Sequence, residues 1–154
     1  MTDTIIIAPG FNGPRLSGNG GYVGGIMAGA FNRQLGRNDA VEITLRAPVP
    51  LDTAMQVVRD GDVLLLKDDD TLVCEARAGS VDHLVAPPPP GDWSEVMRRA
   101  EDGGSPEDSD FNWCVVCGRG RAVGDGLRVL GSAGPQKGQS LSCYVPHANH
   151  ADAA

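Results

Sequence analysis

Between Asn19 and Gly36 the apolar residues Tyr22, Val23, Ile26, Met27, Ala30 and Phe31 recur at helical spacing. Asn19 suits the N-cap, where its side-chain oxygen accepts from an amide of the first turn, and Gly36 is placed to stop the helix. The period then changes. Val41, Ile43 and Leu45 alternate with Glu42, Thr44 and Arg46, the pattern of a strand with one buried face. Strand-like segments follow at Thr53 to Arg59, Val63 to Lys67 and Leu72 to Val81. The links Pro48 to Asp52, Asp60 to Asp62 and Asp68 to Thr71 have hairpin length, so an antiparallel meander is expected. Ile5 to Ala8 supplies a further strand ahead of the helix. A helix apolar nearly all round, beside a sheet with one apolar face, predicts an α+β unit in which the sheet curls around the helix.

Glycine complicates this picture. Ser17 to Asn32 carries six glycines and no charge. Each glycine inside a helix costs roughly 1 kcal/mol relative to alanine, so close packing of another backbone or a ligand is expected to compensate. Glycines at a helix start also leave the first-turn amides unshielded, where the dipole favours negative charge. Two other readings fail. The uncharged run from Leu16 to Asn32 is short, glycine-rich and polar at its end, unlike a membrane span. A dinucleotide fingerprint starting at Gly18 and Gly20 needs a third glycine where Val23 stands.

The second half of the chain reads differently. Pro87 to Pro90 cannot join a ladder and forms a stiff spacer, a short helix is expected from Asp92 to Glu101, and Glu101 to Asp110 is an acidic linker. From Phe111 a new segment begins, with a turn and strand at Gly124 to Leu130 and another strand at Ser140 to Val145. The expected organisation is one unit over 1–86, a Pro-rich and acidic linker with a short helix over 87–110, and an incomplete second unit over 111–154.

The net charge of -7 in 154 residues gives no reason to expect a nucleic-acid partner. Met1-Thr2-Asp3 lacks the basic start of a signal peptide, and the following Ile run is short; a cytoplasmic address is expected. Four cysteines in such a compartment are thiols or metal ligands rather than a disulfide framework. The acidic run Asp68 to Asp70 reads as a hairpin tip, and His83, beside the linker, as a surface residue with catalysis its remote alternative.

Several of these stretches together resemble the acyl-CoA thioesterase-like proteins built as two hotdog units in tandem. Gly18-Asn19-Gly20-Gly21-Tyr22-Val23-Gly24-Gly25 looks like the start of that family's helix. Leu45-Arg46-Ala47-Pro48 and Arg59-Asp60-Gly61 look like its sheet, and Cys114-x-x-Cys117-Gly118 with Gly124 to Arg128 resembles the opening of its second unit. The resemblance implies a hotdog fold, a curved antiparallel β-sheet wrapped around a long central helix, with an acyl-CoA ligand whose carbonyl lies near the helix N-terminus. It also implies pairing of units at a dimer or pseudo-dimer interface.

The residues agree with a ligand there. Amides at Gly20, Gly21 and Tyr22 suit a developing oxyanion, and Asn19 suits orientation of the carbonyl or a water, or a plain cap. No Asp or Glu lies between Asp3 and Asp39, so no general base is visible on the helix where many relatives carry an acid. Two functions are therefore expected in competition: hydrolysis of acyl-CoA thioesters, with Asn19 the catalytic candidate, or a non-catalytic acyl-CoA-binding or oligomerising unit. Homo-oligomers are expected in both, because a lone sheet exposes an edge and an apolar face. No cofactor is expected. Cys114 and Cys117 are structural thiols in this reading; the alternative is a zinc site that they complete with His147 and His150, at a spacing looser than a usual finger.

Overall fold

The computed structural model describes residues 3–82, 92–102, 106–133 and 140–150. His83 lies outside the described residues. The chain divides into two compact units: unit 1 comprises 1–11 and 16–86, and unit 2 comprises 12–15 and 87–154.

Unit 1 holds β1 (Asp3–Ile5), α1 (Gly20–Leu35), β2 (Val41–Leu45), β3 (Met55–Asp60), β4 (Val63–Asp68) and β5 (Thr71–Ala78). Its strands form one antiparallel sheet in the order β1-β3-β4-β5-β2. The expected meander is only partly realised. β3, β4 and β5 are successive hairpins, but β2 pairs with β5 instead of β3. The reason lies in the segment that joins β2 to β3, where Pro48 and Pro50 flank the buried Val49. Val49 donates its amide to Ser17 Oγ at 2.9 Å and accepts from the Gly18 amide at 2.9 Å. The segment is thus tied to the chain ahead of α1 and carries β3 to the far side of the sheet. β1 also sits earlier than the expected Ile5 to Ala8, because Ile7 is fully buried and its carbonyl accepts from Asp52 outside the ladder.

The expected hotdog arrangement does not form. The longest helix among the described residues, α1, has 16 residues, about 24 Å at 1.5 Å per residue, and no long central helix is wrapped by the sheet. Its sides differ. Val23, Met27, Ala30 and Phe31 are buried among Met55, Leu64, Leu66 and Val73, whereas Gly21, Gly25 and Arg33 are exposed. A helix with one buried stripe needs a sheet on one side only, and the five-stranded sheet supplies it.

The interior glycines do not mark close packing on all sides either. A Cβ at Gly25 would meet nothing within 4 Å, and one at Gly21 would meet only the cap Asn19. Tight positions stand at the helix start: a Cβ at Gly18 would lie 3.2 to 3.3 Å from the Ile7, Val49 and Val23 side chains, and one at Gly20 3.0 Å from Leu45.

β5 carries a bulge. Leu66 faces Cys74 and Lys67 faces Leu72, leaving Val73 as the extra residue, so Val73 and Cys74 are both buried despite being neighbours. The Val73 carbonyl accepts the Arg46 amide at 2.8 Å.

Unit 2 contains α2 (Trp93–Asp102) and an antiparallel pair, β6 (Leu130–Ala133) and β7 (Ser140–Cys143). Val96, Leu130 and Cys143 form its small apolar cluster, with Met97 and Leu141 packed against it. Residues 106–129 are turns and loops rather than regular elements.

Candidate functional site

Asn19, Gly20, Gly21 and Tyr22 stand together at the start of α1. Asn19 is extended at φ -67° and ψ 126°, and its Oδ1 accepts the Tyr22 amide at 3.0 Å while its carbonyl accepts from Val23. That oxygen is thereby used as a cap. The Asn19 amide donates to the Phe11 carbonyl at 2.8 Å, fixing the approach of the chain to the helix. Gly20 and Gly21 occupy the first turn, where amides have no acceptor within the helix.

Apolar side chains surround this end. Phe11 stacks on Tyr22 with ring centroids 4.0 Å apart and planes within 3° of parallel. The Leu45 side chain approaches Gly20 so closely that a Cβ there would lie 3.0 Å from it, yet Leu45 remains 45% exposed. The result is a donor pair at a helix N-terminus bordered by exposed apolar surface.

Two titratable groups of unit 1 with displaced pKa values, Cys74 and Glu75, are neighbours on β5. Burial pushes the Cys74 thiol up to about 11, and the neighbouring Glu75 carboxylate adds to the effect. The carboxyl of Glu75 is held below its ordinary range chiefly by the hydrogen bond from Arg46 at 2.8 Å, with Arg77 at 2.9 Å contributing. Cys74 is therefore an inert core thiol.

The Cys114 to Gly118 motif builds a turn in unit 2. The Gly118 amide donates to the Cys114 carbonyl at 2.9 Å, and a Cβ on Gly118 would stand 2.6 Å from backbone atoms of Asn112 and Cys114. Glycine is obligatory there for steric reasons. The turn is braced by Arg121, a residue that no sequence motif marked. Its Nε donates to the Trp113 carbonyl at 2.7 Å, Nη1 to the Asp125 carbonyl at 2.7 Å and Nη2 to Asn12 Oδ1 at 2.6 Å. Arg121 is 8% exposed, and buried charge of this kind persists only when its donors are satisfied. An arginine spaced among glycines was the only signal available in the sequence.

Among the described residues no group of three His, Cys, Asp or Glu side chains is placed to hold a metal. Cys114, Cys117, His147 and His150 are not gathered into a four-ligand centre. His147 and His150 meet edge to face at 6.1 Å, and His147 Nδ1 accepts the Asn149 amide at 3.2 Å. His147 instead borders a cavity of about 220 Å³ within unit 2, whose other walls include Arg128, Leu130 and Cys143.

Set against family models, curated proteins and solved structures, the chain shows no match. Nothing in those comparisons identifies a hotdog thioesterase family. Among the described residues no helix is long and apolar enough to cross a membrane.

Proposed function

We propose that unit 1 binds an acyl thioester of the acyl-CoA type, with the thioester carbonyl accepting from the amides of Gly20 and Gly21. The observation that carries this reading is the pair of first-turn donors without side chains, beside the exposed Leu45 and the Phe11–Tyr22 stack. A carbonyl oxygen suits such donors, and an acyl chain suits the apolar border. Binding is favoured over hydrolysis because Asn19 Oδ1 already caps the helix and α1 carries no acid. A cytoplasmic location is the reading the four cysteines support, since such a compartment disfavours a disulfide framework.

Gly20→Pro tests the donor directly. Proline is tolerated at the first helical position and the extended Asn19 is the conformation that precedes proline; the N–H is lost, and the end of the Leu45 side chain, 3.0 Å from a Cβ at Gly20, shifts to admit the ring. A non-hydrolysable hexanoyl-CoA thioether is expected to bind the native chain at least tenfold more tightly than CoA alone by calorimetry. Gly20→Pro is expected to remove that preference without lowering the melting temperature. Equal binding of the two ligands, or an unaltered Gly20→Pro variant, overturns the reading. Free-thiol release from hexanoyl-CoA above background establishes hydrolysis.

The open face of α1 favours self-association as a second reading. Gly21, Gly25 and Gly29 follow one another at intervals of four, and Gly21 and Gly25 are exposed, so the face allows close approach of a second backbone. Sedimentation of the native chain as a homo-oligomer, converted to monomer by Gly25→Arg, is the expected result. A monomeric native chain excludes it.

A further inference from the structure

We propose that the cavity in unit 2 is a binding site for a small monocarboxylate with a short apolar tail, its carboxylate met by Arg128. This site is independent of the α1 reading. The cavity holds about 220 Å³, less than the roughly 300–1,000 Å³ typical of pockets for drug-sized ligands, so its occupant has few heavy atoms. Met97, Val123, Leu127, Leu130, Val145 and Pro146 make its walls apolar. Such walls suit an alkyl or phenyl tail.

Arg128 sets the sign and the number of charges. It is half-buried at the cavity, and its Nη1 is tethered by the carbonyl oxygens of Arg119 and Arg121. Arg37, Arg46, Arg77 and Arg121 each pair with a carboxylate, but among the described residues none pairs with Arg128. A guanidinium offers a planar fork of donors that matches a carboxylate. One cation balances one negative charge, so a monocarboxylate fits better than a phosphate dianion in apolar surroundings. His147 also lines the cavity, and its Nδ1 accepts the Asn149 amide at 3.2 Å.

Titration of the full chain with hexanoate, followed by amide chemical shifts, tests the site. Saturable shifts centred on residues 123–130 and 143–147 are expected, with hexanol and hexyl phosphate at least tenfold weaker. Val123→Glu places a carboxylate at a wall position that is 74% exposed, so folding is kept while hexanoate affinity falls at least tenfold. Arg128→Gln is expected to do the same, and Val123→Glu carries the test if that variant does not fold. The proposal is overturned by an absence of saturable shifts, by hexanol binding as tightly as hexanoate, by tighter binding of hexyl phosphate, or by undiminished binding to Val123→Glu.

Discussion

Unit 1 buries a continuous apolar core between one helix and one face of a sheet, with Phe31, Met27, Met55 and Leu66 among its members, whereas the apolar cluster among the described residues of unit 2 is built on Val96, Leu130 and Cys143. The described residues of unit 2 also hold a set of buried polar bonds. Asn12, Asn112 and Arg121 are all buried, and the Arg121 guanidinium reaches three separate segments through Trp113, Asp125 and Asn12. Dispersed apolar contact tolerates small losses one at a time. A network centred on one guanidinium concentrates them, because its removal strands the buried Asn12 oxygen together with two half-buried carbonyls.

Phe31→Ala should break the apolar side of this contrast most severely. The ring is fully buried, so a loss of about 3–5 kcal/mol is expected. Hydrogen exchange should show the amides of β3 to β5 losing protection while those of residues 112–129 keep theirs. Equal loss in both regions would show that the units do not unfold separately.

Arg121→Met probes the other side, and the pattern should reverse. Each acceptor left unpaired costs about 1–3 kcal/mol, for a combined loss of roughly 3 kcal/mol after relaxation. Exchange should accelerate across 112–129, with β3 to β5 unaffected.

A smaller effect is expected from pH. The Cys74 thiol, raised to about 11, stays protonated in the folded chain at pH values where the unfolded chain, near 9, has lost the proton. The folded state then binds more protons, so stability of unit 1 falls as pH rises from about 9 to about 11. Cys74→Ala should flatten that part of the stability profile, although it also removes some packing. A profile equally steep in the variant would exclude Cys74 as its source.

The smallest expected effect is a gain. Asp69 opens the β4–β5 turn at φ 47°, in the left-handed region that glycine enters without penalty. Asp69→Gly should raise the stability of unit 1 by about 0.5 kcal/mol in thermal unfolding. A decrease would show that the Asp69 side chain contributes more than its backbone costs.

Much of unit 1 was legible along the chain, although not its assembly. The spacing of Val23, Met27, Ala30 and Phe31, with Asn19 before and Gly36 after, defines α1; Gly36 adopts φ 63° as its left-handed cap. The β3–β4 and β4–β5 hairpins were likewise readable, since short polar turns between alternating segments leave few options. The candidate site at Asn19 to Tyr22 was visible for the same local reason. The unit 2 cavity was not, because Met97, Val123 and Val145 lie far apart in sequence and share no periodicity.

The sequence by itself therefore determined the elements whose causes are short-range: helical periodicity, caps and tight turns. Tertiary structure decided which strands became neighbours, with β2 on β5 and β1 on β3, and which side of α1 was covered. Alternation marks a strand's buried face but does not name its partner. Glycine leaves room for a neighbour without showing whether one is present. Arg121 makes the same point for charge, since an arginine in a glycine-rich loop reads as solvated until the fold surrounds it with carbonyl groups.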